Sequence, residues 1–359
     1  MQDKAMSKWL SPLMAFCLSF LIIATLAPIT GIQIDRQLDF WILWLVTMLI
    51  LALPICYLEI ALAKRSKTTA LQALSKLTRD ADASQRWRLV GWMGVVFIPF
   101  LAGAMLLNTT NVLSIASLDV STQIIFVVAA VIALALSVLP RQILVLLTAI
   151  GVFASIVLAN VMGTALPAWQ VTPVEFSEWG SATVLALVAS GLGMGLYWQS
   201  SLAVTAAEEQ VTKSALPIWI AQLIAVIAFA FFAVNSQVPA FTLVVATLAA
   251  TALILNMARE QLRERQLNVV IQWAVVAVPL LLWVIPNSAM IFNPLLLVWG
   301  LVICLIYAVF AGWIMKISHL RKSLNFSSEV FYNIWRIAVR VVLPLSIIVA
   351  IISVIGSLI

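Results

Sequence analysis

Charged and chemically reactive side chains are scarce in this sequence. Only 9% of its 359 residues are Asp, Glu, Lys or Arg, whereas 64% are hydrophobic. A soluble domain would carry about 25% charged residues. The single histidine is His319, and the three cysteines, Cys17, Cys56 and Cys304, all lie in apolar segments. We therefore expect no disulfide framework and no histidine-based site, and no nucleophile–base set indicates an enzyme.

Long apolar runs take the place of the missing charge. The windows long enough to cross a bilayer as helices are residues 9–29, 38–63, 89–107, 121–139, 142–166, 181–206, 214–234, 239–257, 268–286, 293–315 and 329–357. We number them spans 1 to 11, and we interpret span 1 as a retained helix rather than a removed signal peptide. Because the runs are continuous, without the alternation of barrel strands, the predicted fold class is an all-α polytopic membrane protein with about 11 transmembrane helices.

The placement of the basic residues predicts the orientation in the membrane. With the N-terminus inside, all of the 20 Lys and Arg residues except Arg36 fall in cytoplasmic segments. Such an asymmetry predicts a multi-pass protein of the cell membrane, with a cytoplasmic N-terminus and an extracytoplasmic C-terminus. It also explains the net charge of +6 without a nucleic-acid partner. The expected partners are membrane lipid and a small-molecule substrate; the sequence indicates no oligomeric state.

The longest basic connection, residues 64–88, contains a short periodic pattern. Leu71, Leu74 and Leu77 recur every three residues. This spacing is compatible with a short amphipathic helix on the inner membrane face or with a solvated loop.

Two features do not fit a plain lipid-facing helix. Glu59 lies inside span 2, where a carboxylate needs a partner unless it reaches the interface beside Lys64. Span 6 contains Gly191, Gly193 and Gly195. Glycines in membrane helices usually form packing surfaces, but a spacing of two scatters them around a helix. Together with the polar residues that follow, this favours an interrupted helix.

Span 1 has a second irregular stretch, ATLAPITG at residues 24–31. Spans 1 and 6 occupy corresponding places in two five-helix halves that run in opposite directions. This pattern is typical of an inverted repeat in which both first helices are interrupted. We therefore predict one transmembrane domain over residues 1–359, divided into a first repeat (9–166), a second repeat (181–316) and an extra C-terminal helix (329–357).

Several segments resemble the neurotransmitter:sodium symporter family, which has the bacterial leucine-transporter fold with a 5+5 inverted repeat. The segments are LPICYLEIALAKRSK, GWMGVV, SGLGMG followed by EEQVTKSAL, and FYNIWRIAVRVVLPLSIIV. The order of the motifs is shared with the family, and the chain looks like a short, divergent bacterial-type member.

The resemblance implies a set of site residues. Glu59 would cap the freed backbone amides of the interrupted span 6. The implied substrate-binding residues are Ala24, Thr25, Met105, Ser190, Leu192, Gly193, Gly195 and Ser200, and the implied ion-binding residues are Gln222 and Thr251.

The sequence departs from the family at the positions that bind sodium and form the outer gate. Ala24 stands where the family has a sodium-binding Asn, and Ala27 where it has the gate Arg. These departures argue against sodium coupling. We expect no cofactor, with Na+, H+ or no ion at all as the alternatives for coupling.

Two function hypotheses follow. The first is a secondary active transporter of a small, amino-acid-like solute that works by alternating access. The alternative is a transporter-derived membrane protein that binds a ligand or partner without transport.

Overall fold

The computed structural model describes residues 2–30, 38–117, 121–163, 168–191, 196–197, 210–233 and 238–356. Its secondary structure in these ranges consists almost entirely of helices joined by short irregular connections. The helices are α1 (Gln2–Leu26), α2 (Leu38–Ser66), α3 (Ala70–Asp80), α4 (Leu89–Ser117), α5 (Thr122–Leu136), α6 (Arg141–Met162), α7 (Phe176–Leu187), α8 (Thr212–Ala228), α9 (Ala240–Glu264), α10 (Val269–Leu281), α11 (Ser288–Ile314), α12 (Ile317–Leu324) and α13 (Glu329–Gly356).

These helices confirm the predicted fold class. In the described part of the chain, eight helical segments are long and apolar enough to cross a membrane, and α5 and α10 (extended by a 3-10 turn to Val284) are shorter apolar helices. The helix α7 corresponds to the first part of span 6. Large apolar side chains such as Val161 (74% exposed) and Met290 (83% exposed) lie on the outer surface. In water such a surface would be unfavourable, whereas in a bilayer it contacts acyl chains.

Four π-helical turns occur in the described chain, at Met48–Ala52, Phe229–Ala233, Phe310–Ile314 and Ala338–Val342. Tryptophan N–H groups bond to carbonyls at two of these turns. Trp219 Nε1 donates to the Met48 carbonyl at 2.9 Å, and Trp313 Nε1 donates to the Arg340 carbonyl at 3.2 Å. Because water is absent from the hydrocarbon region, a side-chain donor stabilises the carbonyl at each of these two turns.

The first helix differs in detail from the expectation for residues 24–31. It remains α-helical through Ala24 and Thr25, ends at Leu26, and is followed by a 3-10 turn over Ala27–Thr30. Pro28 explains the position of this change, since proline lacks the N–H that would bond to the Ala24 carbonyl. The irregularity of span 1 therefore lies at the end of the helix, and α1 is a continuous α-helix up to Leu26.

The connection between α2 and α4 forms a helix rather than a loop. Leu71, Leu74 and Leu77 are each at most 2% exposed, so the periodic face of α3 packs against the protein. Arg65 and Asp80 join the two ends of the connection with N–O atoms 3.0 Å apart. This confirms the amphipathic helix and overturns the solvated loop. The second short helix, α12, is not predicted by the hydropathy pattern.

Candidate functional site

The helix α7 ends inside the bundle. It ends at Leu187, and the chain continues as a turn through Gly191. Gly191 has φ of +71° and donates its N–H to the Val188 carbonyl at 3.0 Å. This left-handed backbone conformation favours glycine. The first glycine of the span 6 pattern is thus the residue that turns the chain out of the helix.

The carbonyl of Ser190 is the centre of a buried polar cluster. It accepts hydrogen bonds from Ser19 Oγ of α1 (3.2 Å), from the Tyr197 hydroxyl (2.9 Å) and from Gln222 Nε2 of α8 (3.0 Å). All four residues are at most 1% exposed. Carbonyls at a helix end lack intrahelical partners, and an unpaired one in a membrane interior costs several kcal/mol. Three donors share the two lone pairs of this oxygen, so both lone pairs take part in hydrogen bonds.

Glu59 lies beside the same cluster. Its Oε1 accepts a hydrogen bond from the backbone N–H of Tyr197 at 3.1 Å, and its side chain is 2% exposed. The carboxylate therefore stays in the interior and does not extend to the surface beside Lys64. Tyr197 connects two parts of the site, because its N–H donates to Glu59 of α2 and its hydroxyl donates to Ser190.

The side chain of Thr25, an implied substrate residue of α1, forms its hydrogen bonds within the protein. Thr25 Oγ1 donates to the carbonyls of Leu21 and Ile22, at 2.9 and 3.0 Å. Asn108 Nδ2 of α4 donates to the Thr25 carbonyl at 3.3 Å. Met105 is fully buried in α4, one turn before Asn108. Ala24 is half-buried in α1.

The two implied ion-binding residues lie on different helices. Gln222 belongs to the Ser190 cluster, and its Oε1 atom has no hydrogen-bond partner among the described residues. Thr251 is fully buried on α9, one turn after Thr247, and neither hydroxyl has a partner in the described part of the chain. The described hydrogen bonds do not connect Thr251 with Gln222. Leu192, Gly193, Gly195 and Ser200 lie outside the described residues.

Three residues of the site are missing from the predicted site residues, Ser19, Asn108 and Tyr197. Each is a polar residue within a long apolar stretch, which is the only signal the sequence gives. The partners of Ser19 and Asn108 are 171 and 83 residues away along the chain, and Glu59 is 138 residues from Tyr197, so no local pattern connects them.

Comparison with known proteins identifies the fold. The chain is similar to the crystal structure of MhsT in complex with L-phenylalanine, with a TM-score of 0.61 and 15% sequence identity over 95% of this chain and 98% of that one. The protein has the leucine-transporter fold. No family model matches the sequence, and no curated protein sequence matches it significantly.

The hydrogen bond from Gln222 to Ser190 is testable by substitution. Gln222→Leu removes one donor from the Ser190 carbonyl and should lower the free energy of unfolding by about 0.5–1.5 kcal/mol. Gln261→Leu is the matched control, because Gln261 is 1% exposed and its Nε2 has no partner in the described chain. Both glutamines are buried and have one unpartnered amide atom, so a larger loss of stability in Gln222→Leu would report the bond to Ser190. Equal thermal stability of the two variants in detergent would contradict the cluster.

Proposed function

We propose that this protein is a secondary active transporter of a small, amino-acid-like solute and a divergent member of the neurotransmitter:sodium symporter family. MhsT is a transporter of that family and was solved with L-phenylalanine. In this proposal the substrate binds among α1, α4, α7 and α9, and access alternates between the two sides of the membrane. The shared fold and the motif order support the proposal.

The observation that carries this proposal is the interruption after α7. Irregular backbone inside a membrane is tolerated only where protein groups or a water-lined cavity satisfy it. In transporters with inverted repeats, such interrupted helices expose backbone groups to the substrate near the midplane. Here Glu59 and the donors to Ser190 hold both sides of the interruption at residues 190 and 197. The helix α7 thus ends, with the groups at residues 190 and 197 satisfied, at the position where transporters with inverted repeats are expected to bind their substrate.

We further propose that sodium is not bound at the Ser190 carbonyl. Hard cations are bound through oxygen lone pairs. The Ser190 oxygen accepts three hydrogen bonds, and Gln222 directs its NH2 group, not its oxygen, at that carbonyl. Gln222 Oε1 and the hydroxyls of Thr247 and Thr251 are buried oxygens without described partners, but a hard cation needs several oxygen ligands, so we propose that they do not bind a coupling sodium either.

The membrane orientation is part of the same proposal. The basic connection that contains α3 and the basic segment that contains α12 would lie on the cytoplasmic side with the N-terminus, as the distribution of Lys and Arg predicts. The residues 9–166 and 181–316 would form the two inverted repeats.

Uptake by the purified full-length protein in liposomes tests the transport function. A panel of labelled amino acids is offered with a sodium gradient and with sodium replaced by choline. We expect uptake of at least one amino acid above protein-free liposomes, at rates that differ less than about twofold between the two cations, since the Ser190 carbonyl has no lone pair for sodium. A correctly folded protein that takes up nothing would contradict transport, and a strict sodium requirement would contradict the coupling proposal.

Substitutions of Glu59 separate a capping role from a proton-carrying role. Glu59→Gln keeps an oxygen acceptor for the Tyr197 N–H and should retain uptake within about tenfold, as a neutral hydrogen bond is about half as strong. Glu59→Leu leaves that N–H unpaired and should abolish uptake or folding. Glu260→Gln is the control, because Glu260 is 40% exposed and pairs with Arg141 at 3.6 Å. Complete loss of uptake in a folded Glu59→Gln protein would indicate a proton carrier instead.

One observation favours the second hypothesis, a protein that binds a ligand without transporting it. The helix α1 is continuous through Ala24 and Thr25, whereas alternating access in this fold is expected to involve a break in both first helices. An amino acid that raises the unfolding temperature of the purified protein, without any uptake in liposomes, would support this alternative.

A further inference from the structure

A cationic cavity lies away from the Ser190 cluster, at one end of the helix bundle. It has a volume of about 510 Å3, and its walls come from the residues Ser75, Gln85, Arg86, Arg88, Leu89, Trp92 and Arg265. The walls belong to α3, to the 3-10 turn Gln85–Arg88, to the first turn of α4 and to the residue that follows α9. The cavity therefore opens where two membrane-spanning helices reach their ends.

The three arginines of this cavity have no ion-pair partner in the described chain. The acidic residues of the neighbouring connection are used elsewhere, since Asp80 pairs with Arg65 at 3.0 Å and Asp82 pairs with Lys316 at 3.3 Å. Glu264 is next to Arg265 in the sequence, and its backbone carbonyl accepts a hydrogen bond from Gln72. The lining residues of the cavity itself include no carboxylate. Three arginines that line one cavity without a carboxylate in its lining favour an anion.

Two of the arginines are held in position by neighbouring side chains. The guanidinium of Arg265 lies over the Trp92 ring, with its carbon 4.9 Å from the ring centroid, a favourable cation–π geometry. Arg88 Nε donates to Thr78 Oγ1 at 3.1 Å, which leaves its two terminal nitrogens available. A planar guanidinium presents paired N–H donors that match phosphate oxygens.

The surroundings of the cavity indicate a lipid rather than a soluble anion. Leu89, the first residue of α4, lines the cavity and is 64% exposed. Trp92 follows one turn later, and tryptophan is enriched at membrane–water interfaces. The exposed apolar side chain of Leu89 thus lies next to the arginines at the start of α4. An acyl chain would lie along this helix. Basic pockets at helix ends on one membrane face are a recognised arrangement for anionic lipid head groups.

We propose that this cavity binds the phosphate group of an anionic phospholipid. Arg86, Arg88 and Arg265 contact the phosphate oxygens, Ser75 and Gln85 offer further hydrogen-bond donors, and the acyl chain follows Leu89 and α4. The proposal does not depend on transport, because the site is separate from Ser190 and its measurement is lipid binding.

Native mass spectrometry of the detergent-purified full chain tests the site. The protein is titrated with phosphatidylglycerol and with phosphatidylcholine of the same acyl chains. We expect stronger retention of phosphatidylglycerol. The variant Arg86→Gln/Arg265→Gln should weaken that retention roughly 25-fold, from the usual contribution of two basic residues at an anionic lipid surface. Thermal unfolding of the variant confirms that it folds.

A matched two-charge control and a phosphate arm make the test decisive. Arg263→Gln/Lys322→Gln removes two basic residues that do not line the cavity and should change phosphatidylglycerol retention by less than about twofold. An equal loss in this control, or equal retention of phosphatidylcholine, would overturn the site. Displacement of phosphatidylglycerol by inorganic phosphate at millimolar concentration would identify a soluble-anion site and also overturn the lipid proposal.

Discussion

The structure depends on one constraint: a backbone N–H or C=O inside a membrane must have a hydrogen-bond partner. Regular helices satisfy it internally, so the consequences appear where helices stop. The interruption after α7 leaves the Ser190 carbonyl and the Tyr197 N–H to be satisfied by side chains from α1, α2 and α8. The tryptophan N–H groups at the π-helical turns of α2 and α13 follow the same rule. In each of these three places a hydrogen bond joins the irregular segment to another helix.

The same constraint bears on the positions at which the sequence departs from the symporter family. The first helix has an alanine at position 24, where the resemblance to the symporter family implies a sodium-binding Asn, and it remains α-helical there. A backbone carbonyl that no cation neutralises needs donors instead. Ser19, Tyr197 and Gln222 supply them. In our proposal the scaffold keeps its interrupted helix without sodium, because side-chain donors satisfy the Ser190 carbonyl.

Much of the fold could be predicted because it follows from local properties of the sequence. Hydropathy located the spans, and the period of Leu71, Leu74 and Leu77 indicated α3. The glycine at residue 191 indicated the end of α7. Less of the site could be predicted from the sequence, because Ser19 and Asn108 form hydrogen bonds with residues 171 and 83 positions away. In α1 the sequence predicted an irregular stretch over residues 24–31, whereas the α-helix continues to Leu26 and Pro28 explains its end. Leu192, Gly193, Gly195 and Ser200 remain predictions.

The most direct measurement of the central claim is the sodium dependence of the protein's own stability. A cation that binds the folded state raises its free energy of unfolding by RT ln(1 + [Na+]/Kd). If hydrogen-bond donors occupy the Ser190 carbonyl, the unfolding temperature of the purified protein should be the same in sodium chloride and in choline chloride of equal ionic strength. A sodium-specific increase that Gln222→Leu abolishes would show a cation bound at that carbonyl and would contradict the account.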